Sequence, residues 1–353
     1  MGWNNLISED TWASAVRLGR LIHIDSSWLP GFVGFLSAIP WTKQGTLTGR
    51  VTGATHVSNL SVTAVGKGLS GITKLAEDGS FSIDVHGDEP GQVDLFARET
   101  EGTTKKVLRV GLLRGIAVSS GTTISGLELA LDHPVDQSLA VTVEGSRYQG
   151  SSVSASLWYI LDGQFLFSTD ASGTMPLPVP AIARTAPFDT ITPMLNVTSG
   201  DATNLQGGAV QTNMPVSDTS SAKVTFLAPL SITSPTVGTQ ESPGSASRSG
   251  LVLRWSPDVS AHLTEVELAA KVGPGPLDWT VVAPVSITSF TPFPLPADIA
   301  PVTTFPAGSY SVWATTTWRA KANSYADFFT GSLTHDPYEE TRTTRLLTYV
   351  ELQ

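Results

Sequence analysis

No cysteine occurs in the 353 residues. Its absence excludes disulfide frameworks, thiolate metal sites and a cysteine nucleophile. Positive charge is scarce too: 21 Lys and Arg face 31 Asp and Glu, for a net charge of -10. Nucleic-acid binding needs a basic footprint to neutralise phosphates, so that partner class is excluded. Long apolar runs are missing. A membrane-spanning helix takes about 20 consecutive apolar residues. The best stretch, Trp28 to Trp41, is shorter and is broken by Pro30 and Pro40. Neither it nor the opening MGWNNLI has the basic start of a signal peptide. Two readings fit such an N-terminus: a cytosolic protein, or the mature part of an exported one whose leader is replaced by Met1.

What is present points to packed structure. Hydrophobic residues reach 41% and charged residues only 15%, the reverse of a disordered chain. The length suits two or three domains. Residues 8–41 are ambiguous. Ser8-Glu9-Asp10-Thr11 suits a helix cap, yet Val16, Leu18, Ile22 and Ile24 share a face at period two. The strand reading, over residues 16–24, is preferred, and the apolar stretch after it is expected to pack on a neighbouring domain. From Gly45 the alternation is regular. Leu47 and Val51 share a face, as do Leu60, Val62 and Ala64. Glu77-Asp78-Gly79 forms a tight turn into Phe81, Ile83 and Val85, and Val93, Leu95 and Ala97 follow. Strands at such short intervals, with no helical period between them, are the signature of β-sandwiches.

Residues 138–228 read as a second β domain. Val153, Ala155, Leu157 and Tyr159 share one face of a long strand, which Asp162-Gly163 joins to Phe165-Leu166-Phe167 as a hairpin. Five prolines between Met175 and Pro193 make that stretch an extended loop or edge connection. A Pro/Ser/Gly-rich passage from Ser231 to Gly250 marks the next boundary. The expected fold class is all-β, with two to three tandem antiparallel β-sandwich domains. The expected division is an N-terminal segment 1–42 and domains 43–137, 138–228 and 229–353.

Two stretches resemble known families. GTLTGRVTG from Gly45, EDGSFSIDV from Glu77 and PGQVDLFARET from Pro90 resemble the carboxypeptidase regulatory-like (transthyretin-like) β-sandwich, over residues 43–131. LVLRWSP from Leu251, with Trp255, and GSYSVWA from Gly308, with Tyr310, resemble a fibronectin type III-like or Ig-like sandwich over residues 229–353. The resemblance implies structural and adhesive modules of bacterial surface proteins, and a location outside the cell or in the cell envelope.

The search for chemistry returns little. No G-x-S-x-G elbow, H-E-x-x-H, Walker loop or G-x-G-x-x-G is present. The histidines at 23, 56, 86, 133, 262 and 335 lack metal spacing and read as surface or loop residues. Asp84 with Asp88 and Glu89, and Asp336 with Glu339 and Glu340, lack calcium-loop spacing. They read as an exposed turn and a solvated, salt-bridged connection. No catalytic residue, metal ligand or cofactor is assigned. Tryptophan is the remaining lead, with four of nine (255, 279, 313, 318) in the last domain. Trp255 and Trp313 are expected in the core. Trp279 and Trp318 are less constrained, and an exposed Trp318 beside Arg319 suits a binding patch. The expectation is a non-enzymatic, exported cell-surface protein with a structural, adhesive or assembly role, meeting a protein or glycan partner. The alternative is a carbohydrate-binding protein with Trp279 and Trp318 as stacking platform; a hydrolase with a dispersed acidic site ranks third. A lipid anchor and homo-oligomers are compatible with the first.

Overall fold

A computed structural model describes residues 42–200, 207–218, 220–272, 275–292, 305–329, 336 and 338–353, and the backbone of 13–18. Regular structure among them is β-strand, apart from two short 3-10 turns. One strand, β1 (Ala13–Leu18), precedes the modules. The first module holds β2 (Thr42–Thr52), β3 (Leu60–Gly66), β4 (Leu69–Lys74), β5 (Ser80–Gly87), β6 (Gly91–Thr100), β7 (Val107–Val118), β8 (Thr122–Ala130) and β9 (His133–Pro134). Their order in one sheet is β8-β2-β5-β4-β3-β6-β7-β9. β4 and β5 share only the pairs Leu69↔Gly87 and Ser70↔His86, so the sheet turns over there and encloses a core. Leu47, Val51, Val62, Ala64, Phe81, Ile83, Val85, Val93, Leu95 and Ala97 all line that core, as their alternation predicts. Gly49 lies between Leu47 and Val51 on the inward face. A Cβ there would meet the Leu127 carbonyl oxygen at 2.1 Å, so only glycine lets β2 and β8 pair this closely.

The second module is built from β10 (Gln137–Glu144), β11 (Val153–Leu161), β12 (Gln164–Ser172), β13 (Leu177–Ala181), β14 (Met194–Gly200), β15 (Ala209–Pro215) and β16 (Ser221–Thr225). A small sheet β13-β10-β16 faces β12-β11-β14-β15 across a shared core. The β11–β12 hairpin turns on Asp162 and Gly163, with φ of 49° and 78°, the left-handed pair that a tight hairpin demands. The proline-rich stretch supplies β13, an edge strand. Pro178 and Pro180 alternate with buried Leu177, Val179 and Ala181, as a strand lacking two N–H donors requires.

The third module contains β17 (Ser231–Ser234), β18 (Gly244–Ala246), β19 (Leu253–Ser256), β20 (Leu263–Val272), β21 (Gly275–Pro284), β22 (Ser289–Phe290), β23 (Gly308–Arg319) and β24 (Thr341–Leu352). The sheet β17-β19-β22 covers β21-β20-β23-β24. Trp255 and Tyr310 share the core between them. The Tyr310 hydroxyl donates back to the Pro306 carbonyl at 2.9 Å, a bond similar to that of a tyrosine corner.

The large sheets of the second and third modules are continuous. The first half of β24 pairs with β15, from Asn213↔Thr341 to Ala209↔Arg345, while its whole length pairs with β23. The resulting order is β1-β21-β20-β23-β24-β15-β14-β11-β12, with β18 beside the end of β24. The N-terminal strand begins at Ala13 rather than at residue 16, and it docks on the third module. Residues 19–24 of the expected strand, and the apolar stretch 28–41, lie outside the described residues.

Candidate functional site

Strand parity decides where each tryptophan of the third module goes. On β23, Tyr310, Val312, Ala314 and Thr316 face inward. Trp313 is out of step with them and 41% exposed, which corrects its expected place in the core. The signal was legible, because an odd separation from Tyr310 cannot put both rings on one face. Trp279 is corrected in the opposite sense. It is only 4% exposed and packs against Phe290 and Phe305, with ring centroids 5.8 and 4.9 Å away. Through Leu268 it lies level with Val312, six residues and so about 20 Å along β23 from Trp318. The two rings do not form one platform.

Trp318 is half-buried near the junction of the second and third modules. Its neighbours across the sheet are His262, just before β20, and Arg342 on β24. The His262 ring lies 5.9 Å away and the Arg342 guanidinium 4.4 Å from the indole centroid. A cation over the indole face is attracted by its quadrupole. Glu340 holds that guanidinium, accepting from Nε at 2.9 Å and Nη2 at 2.7 Å. Trp318 is thus layered between side chains of its own sheet.

Arg319 is engaged as well. Its Nε donates to Glu339 Oε2 at 3.0 Å and its Nη2 donates to the same oxygen, while Glu339 Oε1 accepts the Lys321 backbone N–H at 2.8 Å. The Glu339 side chain is 1% exposed, so the expected solvated turn is a buried anchor at this residue. Around it, Lys321 pairs with Asp336, and the Tyr338 hydroxyl donates to the Ile160 carbonyl of β11 at 3.2 Å. The connection between β23 and β24 therefore grips the second module. Removing one member of a buried ion pair strands the other's charge and costs about 3–5 kcal/mol.

Protonation states here favour fixed contacts. Burial lowers the His262 imidazole below its ordinary value, against an opposing pull from Asp327. In its neutral form Nδ1 accepts the Arg319 backbone N–H at 3.4 Å. Burial pushes the Tyr159 and Tyr310 hydroxyls up to about 12, which keeps them as donors to backbone or as neutral partners. At the start of the third module Asp258 is opposed by desolvation, yet the Ala228 and Ser260 N–H groups hold its carboxyl below the usual range.

In the other acidic group Asp84 pairs with Lys43 at 2.7 Å, and Asp88 and Glu89 are exposed. Among the described residues no three His, Cys, Asp or Glu side chains are placed to hold a metal ion. His133 departs from its surface reading. It is buried at the junction of the first two modules, between Asp132 at 2.7 Å and Thr185 at 3.2 Å, against the Phe188 ring. Two features carried no sequence signal. Glu99 is fully buried, with Oε1 accepting the Thr55 and His56 N–H groups and Oε2 without a partner among the described residues. A cleft of about 220 Å³ opens between the first and second modules, lined by Gln92, Asp94, Arg114 and Asp162. Asp94 and Arg114 close an ion pair across part of it at 2.8 Å.

The chain is an all-β protein of tandem sandwiches. No protein-family model matches it, and no curated protein matches it in sequence. The resemblance over residues 43–131 is therefore one of strand pattern. Among solved structures, a streptococcal ancillary pilin is similar at 10% identity and a TM-score of 0.17, over 79% of this chain and 93% of that one. The FN1–FN3 domains of chicken CNTN1 are similar at 10% identity and a TM-score of 0.16, over 73% and 83%. Likeness at this level speaks to no function.

Proposed function

We propose that this chain is a non-catalytic structural or adhesive component of a bacterial cell surface, built to hold its modules in one fixed arrangement. The observation that supports the reading is the sheet that runs through the second and third modules by way of the β15–β24 pairing. Two edges that would each invite foreign strands are joined to one another instead. The Tyr338–Ile160 hydrogen bond ties the same junction from the side, and the buried Arg319–Glu339 pair anchors the connection that carries Tyr338. Fractionation of the native host tests the location: the protein is expected in the envelope or medium and accessible to protease on intact cells. Confinement to the cytosol overturns the reading. So does hydrolysis of a polysaccharide or peptide that one carboxylate substitution abolishes.

A second reading keeps a glycan partner and moves its platform. Trp313, the exposed ring on the outer face of the ten-stranded sheet, stands beside Leu347 on β24 and Glu267 on β20. Flat aromatic faces of this kind stack on sugar rings. Affinity electrophoresis against a panel of polysaccharides tests it, with Trp313→Ala expected to abolish retardation. No retardation on any polysaccharide removes the sugar reading and leaves the structural one standing.

A further inference from the structure

β1 is joined to the fold far from its place in the chain. It forms one edge of the ten-stranded sheet, paired along all six residues with β21, from Ala13↔Val282 to Leu18↔Leu277. The next strand, β2, belongs to the first module, whose β7 packs on β12 at the opposite edge of that sheet. Eight inter-strand steps separate the two edges, about 38 Å at the usual spacing. When β1 pairs with β21 of its own molecule, the 23 residues between β1 and β2 must close that loop. Closing the loop within one molecule costs chain entropy. No disulfide ties the strand down. Without β1, the ten residues of β21 present a bare edge backed by buried Trp279, Val281 and Ala283. Such an edge is a template for another chain.

We propose that the β21 edge accepts residues 13–18 from a second copy of this protein, in the register seen within the chain. The pairing itself is identical in the two cases. Only chain closure differs, and at high local concentration that term favours exchange. Each copy carries one donor strand and one acceptor edge, so the contact is heterologous. Reciprocal exchange closes a dimer; one-way exchange propagates a row of molecules. The inference stands on strand pairing alone and holds wherever the protein resides.

The absence of native cysteine makes the test direct. Ala15 and Thr280 are Cα partners across the two strands, and directly opposed residues lie within disulfide reach. Full-length Ala15→Cys and Thr280→Cys variants, one carrying a size tag, are refolded together at equal amounts and mildly oxidised. The expected product is a covalent dimer of mixed composition, in excess of both same-variant dimers. The double variant, Ala15→Cys with Thr280→Cys, is expected to shift from monomer to dimer and larger species as concentration rises. If the double variant cross-links only within its own chain and the mixture yields no excess of mixed dimer, the strand is not exchanged and the proposal fails. Absence of any cross-link also overturns it, because the strand then does not occupy the edge.

Discussion

Between the first and second modules, contact is made by rings. Phe96 of β6 stacks on Phe167 of β12 at 5.6 Å, and Phe167 stacks on Tyr159 of β11 at 4.3 Å. Val65, Val110 and Leu112 of the first module complete the second module's core. Between the second and third modules, contact is made by backbone, along the five residue pairs that join β15 to β24. The two junctions fix position by different physics. Apolar packing is nondirectional and scales with the area removed from water, so the first junction depends on the shape of a few side chains. Strand pairing sets register at every residue, so the second tolerates many outward side chains. Its flank is held by side-chain hydrogen bonds, from Tyr338 to Ile160 and from Tyr148 to Leu230, with Arg319–Glu339 anchoring the connection that bears Tyr338.

That contrast can be broken most forcefully at the first junction. Phe167→Ala leaves a cavity shared by two modules and is expected to cost about 4 kcal/mol. Denaturant unfolding should show the loss, and early protease cleavage should fall between the first and second modules. Next comes the flank of the second junction. Arg319→Ala is expected to cost about 3 kcal/mol, and the double change Arg319→Met with Glu339→Leu to cost clearly less, because no charge is then stranded. A double variant as unstable as the single one would show that the ion pair is not the source of the effect. Smaller still is Tyr148→Phe. This removes the hydroxyl's hydrogen bond to the Leu230 carbonyl at 2.8 Å, for an expected loss of about 1 kcal/mol by the same assay.

The finest distinction is one of pH. His262 binds its proton less readily folded than unfolded. Its contribution is therefore complete above the unfolded value of about 6.5 and is lost as pH falls through 6.5 towards the lower folded value. Midpoints of unfolding measured from about pH 7 to about pH 5 should fall in the native protein and stay flatter in His262→Gln. Asp258, held low, keeps its contribution until pH drops below about 3.9, outside that window. An unchanged slope in the histidine variant would remove His262 from the junction's chemistry.

Much of this was visible along the chain. Period-two alternation placed Leu47, Val62, Ile83 and Leu95 in the first core, whereas Trp313 was expected in the core although its odd separation from Tyr310 turns it outward. β6 shows where the sequence stopped: alternation assigned Val93, Leu95 and Ala97 to one face, yet Asp94 and Phe96 between them are buried too, as in strands covered on both faces. Phe96 meets a surface beyond its own sandwich. Which surface it met was not legible, since Phe167 lies 71 residues away (167 minus 96) and no local period links the two. The candidate site fared worse for the same reason. Exposure of Trp279 and availability of Arg319 depend on Phe305 and Glu339, which arrive from other parts of the fold.

By itself the sequence determined the all-β class, the tight turns and the inward face of the regularly alternating strands, such as β3 and β5. These follow from backbone geometry and side-chain polarity over a few residues. It also determined that no disulfide holds the fold, because the chain has no cysteine. Only the tertiary structure decided what lies against the second face and along the free edges. Thr343 and Thr344 of β24 are both buried although they point to opposite sides, and nothing in their own strand says so. Edges and outer faces are satisfied by partners distant in the chain, and β1 on β21 is the most distant of all.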